Sequence, residues 1–175
     1  MNRIAALVTI LVFAFSLWSQ NPPAMPKPGP EHQRLHYYAG DWKVEGEAKP
    51  SPFGPGGKFT STDHDEMLGD FFLLIHSEGN GPMGPQKSVA ALGYDPKEKV
   101  YTYDGFTTYG EHGKATGTVS GDTWNWTFSG DEGGKSFKGR ITIKELSSTA
   151  YTFTEEMSID GGPWTKSVEA KATKQ

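Results

Sequence analysis

The chain has 175 residues, a net charge of −4 at neutral pH and no cysteine. The length suits a single domain. The acidic balance argues against nucleic acids and anionic membrane surfaces as partners, because both are bound through basic patches. Without cysteine the fold contains no disulfide, so it must be stabilised by burial of apolar side chains.

Residues 1–20 have the pattern of a secretory signal peptide. Arg3 provides a short basic start, and an apolar run follows from Ile4 to Trp18. This run is shorter than the roughly 20 residues that span a bilayer. The alternative is an uncleaved membrane anchor. We predict cleavage near Ser19 or Gln20, an exported protein in the periplasm or outside the cell, and no stable membrane span after cleavage.

A Pro-rich linker and one short helical turn follow the leader. Residues 21–30, NPPAMPKPGP, predict an extended linker. The helical turn is expected over residues 31–38, because Pro30 suits a first helical position and Gly40 ends a helix. No other segment of the chain has a helical pattern.

From Asp41 onward the sequence predicts strands and short turns. Apolar and polar residues alternate from Trp42 to Lys49, which is the period of a β-strand. Short turn motifs such as Asp95-Pro96 and Gly121-Asp122 force antiparallel neighbours. Further strands are expected near 58–67, 71–78, 87–94, 98–107, 110–119, 123–129, 135–145, 149–159 and 163–173.

The predicted fold is all-β, with residues 31–175 forming a single antiparallel up-and-down β-barrel of about ten strands. A sheet of this size has exposed edges unless it closes. A barrel also needs its floor filled, and Trp42, next to Gly40 at the start of the first strand, is positioned to close that end. The alternative is that Trp42 is an ordinary core residue.

The order of a helical turn, Gly40, a spacer and Trp42 resembles the G-x-W signature of calycin barrels, the lipocalins and fatty-acid-binding proteins. The segments YAGDWKVEGEAKP, MLGDFFLL and ALGYDPKEKVYTY resemble an exported bacterial family known as domain of unknown function fifteen-seventy-nine. This second resemblance covers about residues 31–172. It implies a calycin-like barrel and no established activity.

Two departures narrow the resemblance. The link from Lys49 to Gly57, KPSPFGPGG, is too rich in Pro and Gly to form the helical lid of fatty-acid-binding proteins. Nitrobindin-like barrels hold haem through a His late in the chain, and this sequence has no His after His112. The second departure argues against haem bound by that route, and we predict no cofactor and no metal.

The candidate ligand-binding residues are mainly aromatic. Trp124, Trp126 and Phe128 alternate along one strand and share a face, as do Tyr101 and Tyr103. Such a stripe lines a cavity or fills a core. The predicted ligand-binding set is Trp124, Trp126, Phe128, Tyr101, Tyr103 and His76.

Two carboxylates leave a second interpretation open. Asp63 and Asp65 share one face of a strand with Phe59, either inward or on a solvated outer face. Inward carboxylates meeting His76 would permit acid–base chemistry.

The predicted function is binding of a small hydrophobic or amphipathic ligand in the barrel, and we expect no enzymatic activity. The alternatives are a barrel enzyme that uses interior carboxylates or His, and a structural envelope protein with a filled core. The sequence specifies no protein partner.

Overall fold

The computed structural model describes residues 25–175. The predicted signal peptide, residues 1–20, and residues 21–24 of the predicted linker lie outside the described residues. A short helix α1 (Pro30–Arg34) continues into a 3-10 helix, Leu35–Tyr37. The strands are β1 (Gly40–Ala48), β2 (Gly57–Leu68), β3 (Phe72–Gly81), β4 (Gly84–Asp95), β5 (Val100–Thr107), β6 (His112–Ser120), β7 (Thr123–Glu132), β8 (Lys135–Ser147), β9 (Ala150–Ile159) and β10 (Thr165–Lys174).

The ten strands form one closed antiparallel barrel. Each strand pairs with the next along the chain, and β10 pairs with β1 from Trp42–Lys174 to Ala48–Val168. Between β2 and β3, Gly69 and Asp70 both have φ near +60°, the conformation of the two central residues of a type I′ turn, and the Phe71 N–H donates to the carbonyl oxygen of Leu68 at 3.3 Å. The predicted all-β up-and-down barrel with one N-terminal helical turn is therefore confirmed.

One end of the barrel is closed by α1 and the 3-10 helix, and we call it the closed end. Its core contains Leu35, Trp42, Leu73 and Trp124, each 0% exposed. The Trp42 indole N–H donates to the carbonyl oxygen of Tyr38, 2.5 Å away. Burial of these large side chains is the main stabilising contribution at this end.

Polar contacts fix the helical segment against the barrel. Arg34 Nη2 and Trp124 Nε1 both donate to Glu145 Oε1, each at 2.7 Å. The Tyr101 hydroxyl donates to the carbonyl oxygen of Glu31 at 3.0 Å. The segment before β1 is thus an integral part of the closed end.

The wall of the barrel is incomplete between β6 and β7. Within residues 25–175, these two strands pair only from Thr116–Thr127 to Ser120–Thr123, which is the half near the closed end. Towards the opposite end they separate, and a groove of about 730 Å³ lies over the separation. We call this feature the β6–β7 gap.

Candidate functional site

The candidate site is a cavity inside the barrel, on the side away from the closed end. It has a volume of about 1100 Å³, slightly above the usual range of ligand pockets, about 300–1,000 Å³. Its mouth is bordered by the link between β1 and β2, which includes Phe53, and by Met83 in the turn between β3 and β4. Tyr103, Lys114, Ala115, Phe128 and Ser129 line both the cavity and the groove over the β6–β7 gap.

Alternation along the strands produces an apolar cavity wall. On β2, Phe59 shares a face with buried Asp65, and on β3 the inward set continues from Leu73 to Ile75. Because successive side chains point to opposite faces, each strand contributes every second residue to the interior. The main apolar lining residues are Phe59, Ile75, Trp126, Phe128, Ile141 and Phe153.

Three of the six predicted ligand-binding residues line this cavity. Trp126, Phe128 and Tyr103 contribute to its wall. Trp124 and Tyr101 point inward as well, but they pack with each other in the closed end, with ring centroids 4.7 Å apart. Both side chains face the barrel interior. They miss the cavity because they lie nearer the closed end along their strands.

His76 requires a correction. It is exposed on the outer face of β3, where it pairs in register with His64 of β2. Its neighbours Ile75 and Ser77 occupy the inward positions. Because successive side chains of a strand point to opposite faces, the His76 side chain points away from the cavity in this register.

The predicted barrel-floor residues lie at the closed end. Trp42 is fully buried there, and Gly40 begins β1 with φ of +123°. This backbone conformation favours glycine, whereas the nearest atom to an added Cβ, Cε of Lys174, belongs to the end of a flexible side chain that can move away.

Asp63 and Asp65 face the interior and lie at the base of the cavity. Oδ1 of Asp63 accepts hydrogen bonds from Ser77 at 2.6 Å and Ser61 at 3.0 Å. Burial raises the pKa of Asp63 despite these two bonds. Asp65 is 5% exposed, and its Oδ1 atom has no hydrogen-bond partner among residues 25–175.

The protonation of Asp65 is strongly perturbed. Burial raises its pKa to about 8, and the negative charge of Asp63 adds to the increase. Burial and a neighbouring like charge both disfavour the ionised form. The base of the cavity therefore holds one carboxyl that keeps its proton at neutral pH beside a second one with a raised pKa.

A third carboxylate and a buried phenol extend this polar region. Glu155 lies in the cavity wall, accepts a hydrogen bond from Ser167 at 2.6 Å, and has its pKa raised by burial. Tyr151 also lines the cavity, and burial, with the charges of Asp63 and Asp65, raises its pKa. We call Asp63, Asp65, Glu155 and Tyr151 the acidic base.

The basic residues that border the cavity are held in pairs with acidic partners. Lys49 Nζ lies 2.7 Å from Glu47 Oε1. His112 and Lys114 both contact the carboxylate of Asp104 on the neighbouring strand, at 2.6 and 2.8 Å. These three are the basic residues of the lining in the part of the chain that the structure describes, and none belongs to the acidic base.

Sequence analysis did not identify Glu155 or Tyr151. The signal was the parity of β9, where Tyr151, Phe153, Glu155 and Met157 all line the cavity. A second acid, Glu156, follows Glu155 directly, so the alternation of inward and outward residues along β9 is not apparent from the sequence. Glu156 is on the outer face, where its Oε2 accepts from Arg140 Nε at 2.8 Å.

A family profile described as "Protein of unknown function (DUF1579)" matches residues 27–174. The chain belongs to this family. The family expected from the sequence is thereby confirmed, without its description as exported, and the family description assigns no activity to this DUF1579 protein. No curated protein matches the sequence.

Solved structures with low sequence identity share the fold. One is Rv2717c from M. tuberculosis, with a TM-score of 0.58, 16% identity, and coverage of 85% of this chain and 99% of that chain. Another is the S-type phycobiliprotein lyase CPES from Guillardia theta, with a TM-score of 0.57, 9% identity, and coverage of 83% and 92%. At these identities the likeness concerns the fold alone.

Two further observations describe the DUF1579 chain. No helix among its described residues is long and apolar enough to cross a membrane. Over residues 25–175, no three side chains of His, Asp or Glu are grouped as metal ligands.

Proposed function

We propose that this protein binds a small amphipathic ligand inside its barrel. The observation that carries the proposal is the cavity of about 1100 Å³, with an apolar wall and the acidic base at its inner end. Ligand pockets combine a predominantly apolar surface with a few convergent polar groups, and this cavity has both. A protein with a filled core would lack such a volume. The fold relative that is a phycobiliprotein lyase is compatible with this proposal.

The test is a titration with Nile red, a neutral apolar dye whose fluorescence rises and shifts to the blue when water is excluded. We expect saturable binding to the wild-type protein. Ser88 lines the cavity and makes no side-chain hydrogen bond within the described residues, so Ser88→Trp fills the cavity without removing a polar contact. This variant should bind the dye about tenfold or more weakly.

A matched control separates cavity filling from a general effect of an added indole. Val89 is the next residue along β4, is 47% exposed and points outward, so Val89→Trp should bind Nile red like the wild-type protein. Thermal unfolding checks that both variants are folded. Equal dye binding by the wild-type protein and folded Ser88→Trp would refute interior binding.

A second candidate function, a barrel enzyme, is favoured by one observation. Asp63 and Asp65 share the inner face of β2, and their pKa values are raised to different extents. Paired carboxyls with separated pKa values serve as acid and base in many active sites. Turnover that is lost in Asp63→Asn, while Nile red binding persists, would favour the enzyme over a binding protein.

We further propose that the protein is exported and acts in the periplasm or outside the cell. The support is the sequence of residues 1–20, with its basic start and apolar run. Expression of the full chain in a bacterial host, followed by fractionation and mass measurement of the N-terminus, tests this. Retention of residues 1–20 in a cytoplasmic product would refute it.

A further inference from the structure

We propose that the ligand carries a cationic amine head group, which lies against Asp63 and Asp65, and an apolar tail that extends towards the mouth of the cavity. This inference rests on the proposed function and specifies the chemical class of the ligand. It is carried by the carboxylate geometry, by the placement of positive charge and by the aromatic surface around the acidic base.

The carboxylates have hydrogen-bonding capacity that the protein does not use. Both serines that bond Asp63 donate to Oδ1, and Oδ2 receives no hydrogen bond from residues 25–175. Oδ1 of Asp65 is buried without a partner within the same range. A buried polar atom without a partner is destabilising, and a ligand that donates N–H groups would remove this cost. An ammonium group has three such donors and no acceptor.

Within residues 25–175, no basic side chain of the cavity wall bonds to these carboxylates, and His64 and Lys174, whose positive charges lower the pKa of Asp65, lie outside the lining. Of the basic lining residues, Lys114 and His112 are paired with Asp104, and Lys49 with Glu47. Towards the mouth the lining adds further acids, Glu111, Asp131 and Glu132. Acidic side chains therefore lie along the cavity from its base to its mouth, and Asp65 is uncharged at neutral pH until a ligand binds. This arrangement favours a cation over a carboxylate.

Aromatic rings complete the surroundings of the acidic base. Trp126, Tyr103 and Tyr151 line the same cavity as the two aspartates. The hydroxyl groups of Tyr103 and Tyr151 lie close enough to Asp63 for its charge to contribute to their raised pKa values, after burial. Aromatic faces attract cations, and more strongly where water is excluded. Carboxylates and aromatic rings together favour an ammonium over a neutral hydroxyl.

The test compares three amphiphiles that share one tail, namely dodecylammonium, dodecanol and dodecanoate, as competitors of Nile red at neutral pH and below their micelle concentrations. We expect dodecylammonium to displace the dye about tenfold or more tightly than dodecanoate, with dodecanol between them. Calorimetry in two buffers of different ionisation enthalpy should show proton release with dodecylammonium and none with dodecanol, because a bound cation favours ionised carboxyls.

Variants assign the effect to the acidic base. Asp63→Asn combined with Asp65→Asn should remove the preference for dodecylammonium over dodecanol, measured as the ratio of their affinities, so that any change in Nile red affinity common to both competitions cancels. Asp131→Asn, at the exposed mouth, is the matched control and should retain most of the preference. If the double variant does not fold, proton release from the wild-type protein still decides the question.

The outcomes separate the two proposals. Absence of Nile red binding would refute interior binding as such. Nile red binding with dodecanoate as the tightest competitor, or with equal affinities for dodecanol and dodecylammonium, would overturn the amine head group while the proposed function stands. A preference for dodecylammonium that the double variant retains would also overturn the assignment to Asp63 and Asp65.

Discussion

Replacing Asp65 by asparagine should change how the stability of the protein depends on pH. Burial, with the charge of Asp63 second, raises the pKa of Asp65 to about 8 in the folded protein. In the unfolded chain an Asp loses its proton near pH 3.9. Between these values the folded protein binds one proton more than the unfolded chain, so the free energy of unfolding falls as pH rises.

The magnitude follows from the two pKa values. Each pH unit between them lowers the free energy of unfolding by about 1.4 kcal/mol. From about pH 4 to about pH 8 the total is about 5.6 kcal/mol, and the pKa of about 8 from which it follows already includes the opposing positive charges of His64 and Lys174. Asparagine carries no charge at any pH. The stability of Asp65→Asn relative to the wild-type protein should therefore be lowest below about pH 4, and it should rise by about 4 kcal/mol between about pH 5 and about pH 8 and stay at that level near pH 9.

Urea unfolding at about pH 5 and about pH 9, followed by circular dichroism, measures this difference. Asp131→Asn changes an exposed carboxyl, and its stability should parallel that of the wild-type protein at both pH values. If wild-type and Asp65→Asn proteins show the same change between the two pH values, Asp65 does not keep a proton through folding. The account of the acidic base would then be wrong.

Two further predictions concern the closed end and the wall. Trp42→Ala should lower the free energy of unfolding by about 3–5 kcal/mol, because it opens a cavity in a fully buried core. Trp164 is 41% exposed, so Trp164→Ala should lower it by less than about 1 kcal/mol in the same urea experiment. Amides of residues 112–115 and 128–132 that face the β6–β7 gap should exchange hydrogen about tenfold or more faster than the paired amides of residues 116–120. Equal losses for the two Trp variants, or uniform exchange along β6, would contradict the described packing and gap.

Sequence periodicity was sufficient to predict the barrel, because strands with period 2 joined by short turns have few other arrangements. It was also sufficient to place Trp124 and Trp126 on one face. It did not predict how far along the barrel axis each residue lies. That position decides that Trp124 belongs to the closed end and that Trp126 lines the cavity. The position along the axis depends on the stagger of all ten strands around the closed barrel.

The face of a residue was ambiguous wherever apolar or charged residues were consecutive. The run Phe71-Phe72-Leu73-Leu74-Ile75 has no alternation, so it did not determine that His76 points outward. Asp63 shares parity with Phe59, and the inward option was visible for that reason. Deciding that Asp63 faces inward required knowledge of the neighbouring strand. Ser77 of β3 donates a hydrogen bond to the buried carboxylate, which reduces the cost of its burial.

The most direct measurement of interior binding is a set of nuclear Overhauser contacts between bound dodecanol and methyl-labelled isoleucines. Ile75, Ile141 and Ile143 line the cavity, whereas Ile159 does not. Interior binding predicts contacts from the dodecanol chain to the three lining residues and none to Ile159. Saturable binding with no contact to Ile75, Ile141 or Ile143 would place the ligand outside the barrel and contradict the account.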